Sequence, residues 1–350
     1  MPNRILIVKT SSLGDIIQSF HVLSYLHQKF PGVQIDWVVE AAFASIVKAH
    51  PLVHRTVIFD LQGVRKSWSG SKLVEEIRRL RACRYDLVFD LQKNTKSGFI
   101  TALARSPMKV GFGLRSVREW PNVLATHRRF EVSGEANIRL QYVGLMQKFL
   151  RDEAPFQEEG VCFHTTPAEQ EVVQSILAIS KKTRIMVCPG SKWNNKRLPL
   201  EKMGAFLAKI HESMEASFLL MWGDGEEKTY CHEIRDRFLR EGVIVDKLPI
   251  PVWQNLINEV DLVIAVDSAA LHLCGTTKTP SFSIFGPTAP QIFKPMGENH
   301  CAMQGACPYG RTFAKQCPVL RTCPTGACIR ELKAGELFQT FWDWWETTVC

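Results

Sequence analysis

The 350-residue chain reads as an α/β protein of two domains, each a parallel sheet covered by helices. Three observations carry that expectation. Strand-like runs alternate with helical patterns along both halves, an acidic proline-containing break divides them, and the composition is that of a globular protein. Strand–helix alternation at this spacing builds parallel sheets buried on both faces. A hydrophobic content of 45% against 22% charged residues provides for two cores of ordinary size.

In the first half "RILIVK" precedes the amphipathic "IIQSFHVLSYLHQKF", and "QIDWVVE" precedes "AAFASIVKAH". "RTVIFD" then leads to the charged helix "KLVEEIRRLRAC", and "YDLVFDLQ" to "SGFITALAR". The acidic "RDEAPFQEEG", Arg151 to Gly160, breaks this pattern and marks the linker, giving domains 1–155 and 156–330. In the second half "RIMVCPG" precedes "LEKMGAFLAKIHESM" and "SFLLMWG" precedes "EEKTYCHEIRDRFL". "NLINEVDLVIAVDSAALHLCGTT" reads as helix, strand, turn and helix ahead of "PSFSIFGPT". Two Rossmann-like halves facing a central cleft are therefore expected, with ligands beyond the carboxyl ends of the strands. No G-x-G-x-x-G follows a predicted strand, which counts against a nicotinamide dehydrogenase. In residues 331–350, Phe338, Phe341, Trp342 and Trp345 share a helical face. That spacing predicts a helix packed on the core, crossing back to the first domain, with an interfacial membrane role as the alternative.

The net charge of +8 is uneven. Residues 1–150 hold 22 Lys and Arg against 11 Asp and Glu, a balance of +11, which leaves −3 for the remainder. A basic face calls for an acidic partner such as nucleic acid, anionic lipid or a phosphorylated glycan. About five apolar residues precede Lys9, too few for a signal-peptide core, and no apolar run approaches the roughly 18 residues of a membrane span. A cytoplasmic chain, soluble or peripheral to a membrane, is expected. Cys83, Cys162, Cys188, Cys231 and Cys274 read as buried free thiols in a reducing compartment.

Three strand-end loops carry the chemistry. The first is "VKTSSLGD", where Lys9, the hydroxyls and the following backbone N–H groups can hold an anion. Asp15 fits two roles there, a first-turn acid complementing the helix dipole or a general base taking a proton from an attacking hydroxyl. The second is "CPGSKWNNKRLP", whose small residues and cations suit a diphosphate. The third is "DSAALHLCGTTKTPSFSIFGPTAP", with Asp267 at a strand end, Ser268 as a candidate N-cap and His272 about one turn on. "WGDGEE" adds a carboxylate suited to ribose hydroxyls.

Taken together and in this order, the three loops resemble the ADP-heptose:lipopolysaccharide heptosyltransferases, glycosyltransferase family 9, over most of residues 1–300. The opening motif is most similar to heptosyltransferase I. The resemblance implies a GT-B fold and inverting transfer of L-glycero-D-manno-heptose from ADP to a Kdo hydroxyl of the lipopolysaccharide inner core. It implies Asp15 as the base, Lys196 on the donor phosphates with Gly190 and Ser191 beside it, and Asp267, Ser268 and His272 on the donor. The donor-ribose glutamate maps to Glu226 or Glu227. Lys9, Ser12, Arg65, Lys66, Arg118 and Arg139 fall to the acidic acceptor glycolipid. The implied partners are ADP-heptose, that acceptor and the inner face of the cytoplasmic membrane, with no nucleic acid and no cofactor required for catalysis. Ala269 and Cys274 depart from the family pattern, which has glycine and alanine there. The alternatives are a related transferase using another nucleotide sugar on a different glycan or protein, and a catalytically silent, metal-stabilised interaction module.

The segment from Cys301 to Cys328 has the spacing C-x5-C-x9-C-x5-C-x4-C, and three of its five cysteines precede proline. Cys307, Cys317, Cys323 and Cys328 are candidates for a structural zinc or iron site, against free thiols.

Overall fold

The computed structural model describes residues 1–60, 70–157, 159–179 and 182–349. Arg65 and Lys66 lie outside these. The chain divides into two compact units, Met1–His164 and Thr165–Cys350.

In the first unit six parallel strands form one sheet: β1 (Arg4–Val8), β2 (Gln34–Val39), β3 (Arg55–Ile58), β4 (Leu87–Asp90), β5 (Met108–Phe112) and β6 (Arg128–Phe130). Their order is β3-β2-β1-β4-β5-β6. β1 is central, with Ile7 level with Trp37 on one side and Phe89 on the other. Ile5 to Val8 have no exposed surface, because a strand inside a helix-covered parallel sheet is buried on both faces. β6 escapes a pattern reading because it is a three-residue edge strand, "RRF", with its arginines exposed. The amphipathic stretch after β1 is two helices, Leu13–Ser19 and His21–Lys29, rather than one. At the break, the Phe20 ring packs edge-on against Trp37 and Phe163, at 5.4 and 5.8 Å.

The second unit repeats the plan with β7 (Thr183–Cys188), β8 (Ala216–Leu220), β9 (Val243–Ile244), β10 (Leu262–Val266), β11 (Ser281–Phe285) and β12 (His300–Gln304). Their order is β12-β11-β10-β7-β8-β9, all parallel. Counted within each unit, both sheets have the strand order 3-2-1-4-5-6 of a doubly wound Rossmann sheet. The order reverses between β1 and β4 in one unit and between β7 and β10 in the other. Crevices open at such points because the flanking connections leave toward opposite faces.

The C-terminal helix, Ala334–Trp344, covers its own unit. Phe341 is fully buried, with ring centroids 6.0 Å from Phe206 and 5.5 Å from Phe282. Trp345 is also buried, and Phe338 stacks on Trp342 at 5.6 Å along the margin of that core.

Candidate functional site

In the first unit the chain leaves β1 through Lys9 to Ser12 and enters the helix Leu13–Ser19. Gln92, from the loop after β4, holds this segment: its Oε1 accepts from the N–H groups of Thr10 at 3.2 Å and Ser11 at 3.3 Å. Asp90 in turn shapes the β4 loop. Its buried carboxylate accepts from the N–H groups of Gln92 and Lys93, from Ser97 and Thr101, and from Asn122 at 2.7 Å. Burial raises the Asp90 pKa against the opposing pull of these hydrogen bonds.

Asp15 is the third residue of its helix. Its Oδ2 accepts from the Ser12 hydroxyl at 2.9 Å and from the Ser12 N–H at 3.3 Å, the carboxylate half of a capping box. The first-turn role is thus present, and it is compatible with proton transfer because the carboxylate stays partly exposed. Lys9 is buried with its Nζ 5.3 Å from the centre of the Tyr142 ring. Burial raises the Tyr142 hydroxyl pKa well above its ordinary value, and the negative charge of Asp15 adds to that shift. The buried Thr10 hydroxyl has no hydrogen-bond partner among the described residues. Of the other expected acceptor contacts, Arg118 is exposed, with its N–H on the Lys93 carbonyl at 3.0 Å. Arg139 is fully buried at the start of the helix Ile138–Leu150.

In the second unit the reversal point gathers an ion-pair node. Asp267, just past β10, is 3% exposed. Its Oδ2 meets Lys196 Nζ at 2.5 Å and accepts from the Thr288 hydroxyl at 2.6 Å, and its Oδ1 lies 3.7 Å from His272 Nε2. Burial alone would raise the Asp267 pKa. The charges of Lys196 and His272, with hydrogen bonds from Lys196 and Thr288, prevail and hold it below the ordinary carboxylate value. Ser191 is buried and donates to the Asp267 carbonyl at 3.3 Å, so the loops after β7 and β10 are tied side by side. Ser268 occupies the N-cap position without capping the helix. Its buried hydroxyl has no partner among the described residues.

Gly190 lets the Glu227 carboxylate lie against the loop: a Cβ there would stand 2.1 Å from its carboxyl carbon and displace that side chain. Glu227 accepts from the Gly223 N–H at 2.7 Å, whereas Glu226 points outward and pairs with Arg197 at 3.0 Å. These residues border an open polar pocket of about 720 Å³, lined by Lys192, Trp193, Arg197, Glu226, Glu227 and Arg321 among others. A separate cavity of about 300 Å³ lies at the amino ends of β7 and β8, away from this chemistry.

Cys307, Cys317, Cys323 and Cys328 line one small cavity with Pro287, Phe313 and Leu320. Burial pushes the Cys328 thiol up to about 11, with added repulsion from Cys307, Cys323 and Cys317. Cys323 is held below its ordinary value, because its sulfur receives the Gly326 N–H at 3.4 Å and lies 3.7 Å from the Thr325 hydroxyl. Among the described residues, no three His, Cys, Asp or Glu side chains are placed as a metal-ligand set. Likewise, no helix among them is long and apolar enough to cross a membrane.

Gln92 and Tyr142 are not among the sequence candidates, whereas Thr288 falls within the third selected loop. "DLQKN" after β4 is a strand-end loop like the three selected, and that position is the signal for Gln92.

Two doubly wound parallel sheets of the order 3-2-1-4-5-6 define the α/β architecture of the GT-B class. The model of glycosyltransferase family 9 (heptosyltransferase) matches residues 74–322, and the chain belongs to that family. It is 27% identical over 297 residues to lipopolysaccharide heptosyltransferase 1 of Campylobacter coli, covering 81% of this chain and 84% of that protein. It is 28% identical over 319 residues to the Pseudomonas aeruginosa protein of the same name, covering 90% and 87%. The solved structure of the Escherichia coli heptosyltransferase WaaC with ADP has the same fold, with a TM-score of 0.75 at 22% identity, covering 97% of this chain and 99% of that one.

Proposed function

We propose that the protein is an inverting heptosyltransferase that moves heptose from ADP-L-glycero-D-manno-heptose to a Kdo sugar of the lipopolysaccharide inner core. The observation that carries this reading is the Lys196–Asp267 node at the β7/β10 reversal point, in a chain alike over most of its length to proteins named for that transfer. Asp15 takes the proton of the attacking acceptor hydroxyl. The oxygen forms its bond to the anomeric carbon as the bond to the ADP oxygen breaks, and the configuration inverts. Lys196 receives the charge that develops on the leaving diphosphate. Gly190 and Ser191 let the loop approach the donor, Ser268 and His272 contact it, and Glu227 faces the ribose with Glu226 at the pocket rim. Lys9, Ser12, Arg65, Lys66, Arg118 and Arg139 serve the acidic acceptor. The organisation follows the two units, the first for acceptor and the second for donor.

The four thiols of Cys307, Cys317, Cys323 and Cys328 are the donor type that a structural zinc or iron takes and share one cavity, but their side chains are not placed here as a ligand set. The acceptor is a glycolipid, so peripheral binding to an anionic bilayer follows. Support comes from the basic balance of residues 1–150 and from exposed Leu114, Trp120 and Leu124 in a segment that also exposes Arg115, Arg118 and Arg128.

The test is a panel of nucleotide sugars offered with Kdo-lipid A and read by mass spectrometry. Addition of one heptose from ADP-heptose is expected. Transfer from a UDP-sugar and not from ADP-heptose would overturn the donor assignment.

A further inference from the structure

The cysteine segment grips the donor loops from two sides. On one side Asn195, in the tight turn Asn194–Lys196, donates through Nδ2 to the carbonyls of Leu320 and Cys323, each at 2.9 Å. Gly326, with φ of +58°, approaches so closely that a Cβ would stand 2.8 Å from Asn195 Oδ1. Arg321 lies over the Trp193 ring at 5.1 Å. On the other side the Cys317 N–H donates to the Pro287 carbonyl at 2.7 Å, and the Ala289 N–H to the Lys315 carbonyl at 2.9 Å. Thr288, between them, forms a β-bridge with Gln316.

These two grips end on the two groups closest to the Asp267 carboxylate. Lys196 follows Asn195 directly, and Thr288 sits between Pro287 and Ala289. Cys317 and Cys323 supply both backbone contacts and sulfurs to the shared thiol cavity, so the arrangement of the thiols fixes where those backbone groups stand.

We propose that Asn195 is a positioning residue for the donor and that the four-cysteine segment is a clamp on the donor loops. Donor affinity then depends on the integrity of the thiol cluster. This rests on the donor reading above and adds a determinant beyond the residues named there, with Asn195 and Cys323 also on the wall of the open pocket.

The test uses full-length protein with ADP as the probe. Asn195→Leu keeps the branched shape and removes both donated hydrogen bonds. At ordinary hydrogen-bond strength, ADP binding by calorimetry is expected to weaken about 10-fold. The donor KM rises alike, while kcat stays within about 3-fold and the acceptor KM is unchanged. Cys323→Ala is expected to weaken ADP binding in the same sense, and the double variant to lose less than the product of the two losses, because both loosen the same grip on the Asn194–Lys196 turn. Circular dichroism and the acceptor KM identify a variant that has misfolded, and Asn195→Ala then serves as the second substitution. Wild-type ADP affinity in folded Asn195→Leu overturns the clamp, as does an equal rise in donor and acceptor KM or full multiplicativity with Cys323→Ala. A wild-type chain that fails to bind ADP overturns the donor reading itself, and the clamp with it.

Discussion

The loops after β1 and β10 each flank the reversal point of a sheet of the same strand order, yet they treat their carboxylates in opposite ways. Asp15 is partly exposed and held by hydrogen bonds from its own N-cap residue. Asp267 is buried against Lys196, Thr288 and His272. A base must be able to gain and lose a proton, so a partly exposed carboxylate with local hydrogen bonds suits it. A carboxylate that anchors a phosphate-binding lysine must stay ionised, and a buried cation with hydroxyl support ensures that. One fold reversal point thus serves two chemistries according to how deeply its acid is paired.

The largest effect is expected from Asp15→Asn. The amide oxygen can still accept from Ser12, so the cap survives while the base is gone. We expect kcat to fall on the order of 100-fold or more with ADP affinity unchanged. Asp15→Ala should add a stability loss of about 1 kcal/mol through the missing cap contact, seen as a lower melting temperature. Retained turnover in Asp15→Asn would leave that carboxylate with its capping role alone.

Lys196→Ala tests the other side. Removing the cation leaves Asp267 buried with only Thr288 and His272, which should cost on the order of 3 kcal/mol of unfolding stability and weaken ADP binding. An unchanged melting temperature would show that Lys196 is not the partner that keeps Asp267 ionised.

A smaller effect follows from pH. The folded-state pKa of Asp267 is lowered from its ordinary 3.8. Its contribution to stability is therefore fully present above that value and is lost as pH falls through the folded value. Wild type should lose stability faster than Asp267→Asn on acidification below about pH 4, measured by urea unfolding at stepped pH. Parallel curves would remove Asp267 from the account.

Much of this was legible in the chain because central parallel strands are continuous apolar runs, and because Asp15, Lys196 and Asp267 each sit at a strand end in a recognisable loop. The edges were not. β9 is two residues long and β6 exposes its arginines, so neither buries enough to leave a pattern. Thr288 and Gln92 act through hydrogen bonds to residues far along the chain, at a separation of 21 positions for Thr288 and of 82 and 81 for Gln92, and no local periodicity encodes that. The thiol cluster shows the converse: spacing proposed four cysteines, and folding places all four on one cavity.

Residues 1–150 carry a balance of +11, while the rest of the chain is slightly acidic. Trp120 is 65% exposed, and it lies two residues from Arg118. If the first unit serves a membrane-bound acceptor and the second a soluble nucleotide, Trp120→Ser should reduce co-flotation with phosphatidylglycerol vesicles a few-fold and leave ADP affinity untouched. Because the neighbouring arginines remain, residual binding should weaken further as salt rises and screens them. Neutral phosphatidylcholine vesicles are expected to bind little of either protein. Equal flotation of wild type and Trp120→Ser would move the lipid contact elsewhere on the chain, while a loss of ADP binding would tie Trp120 to the donor instead.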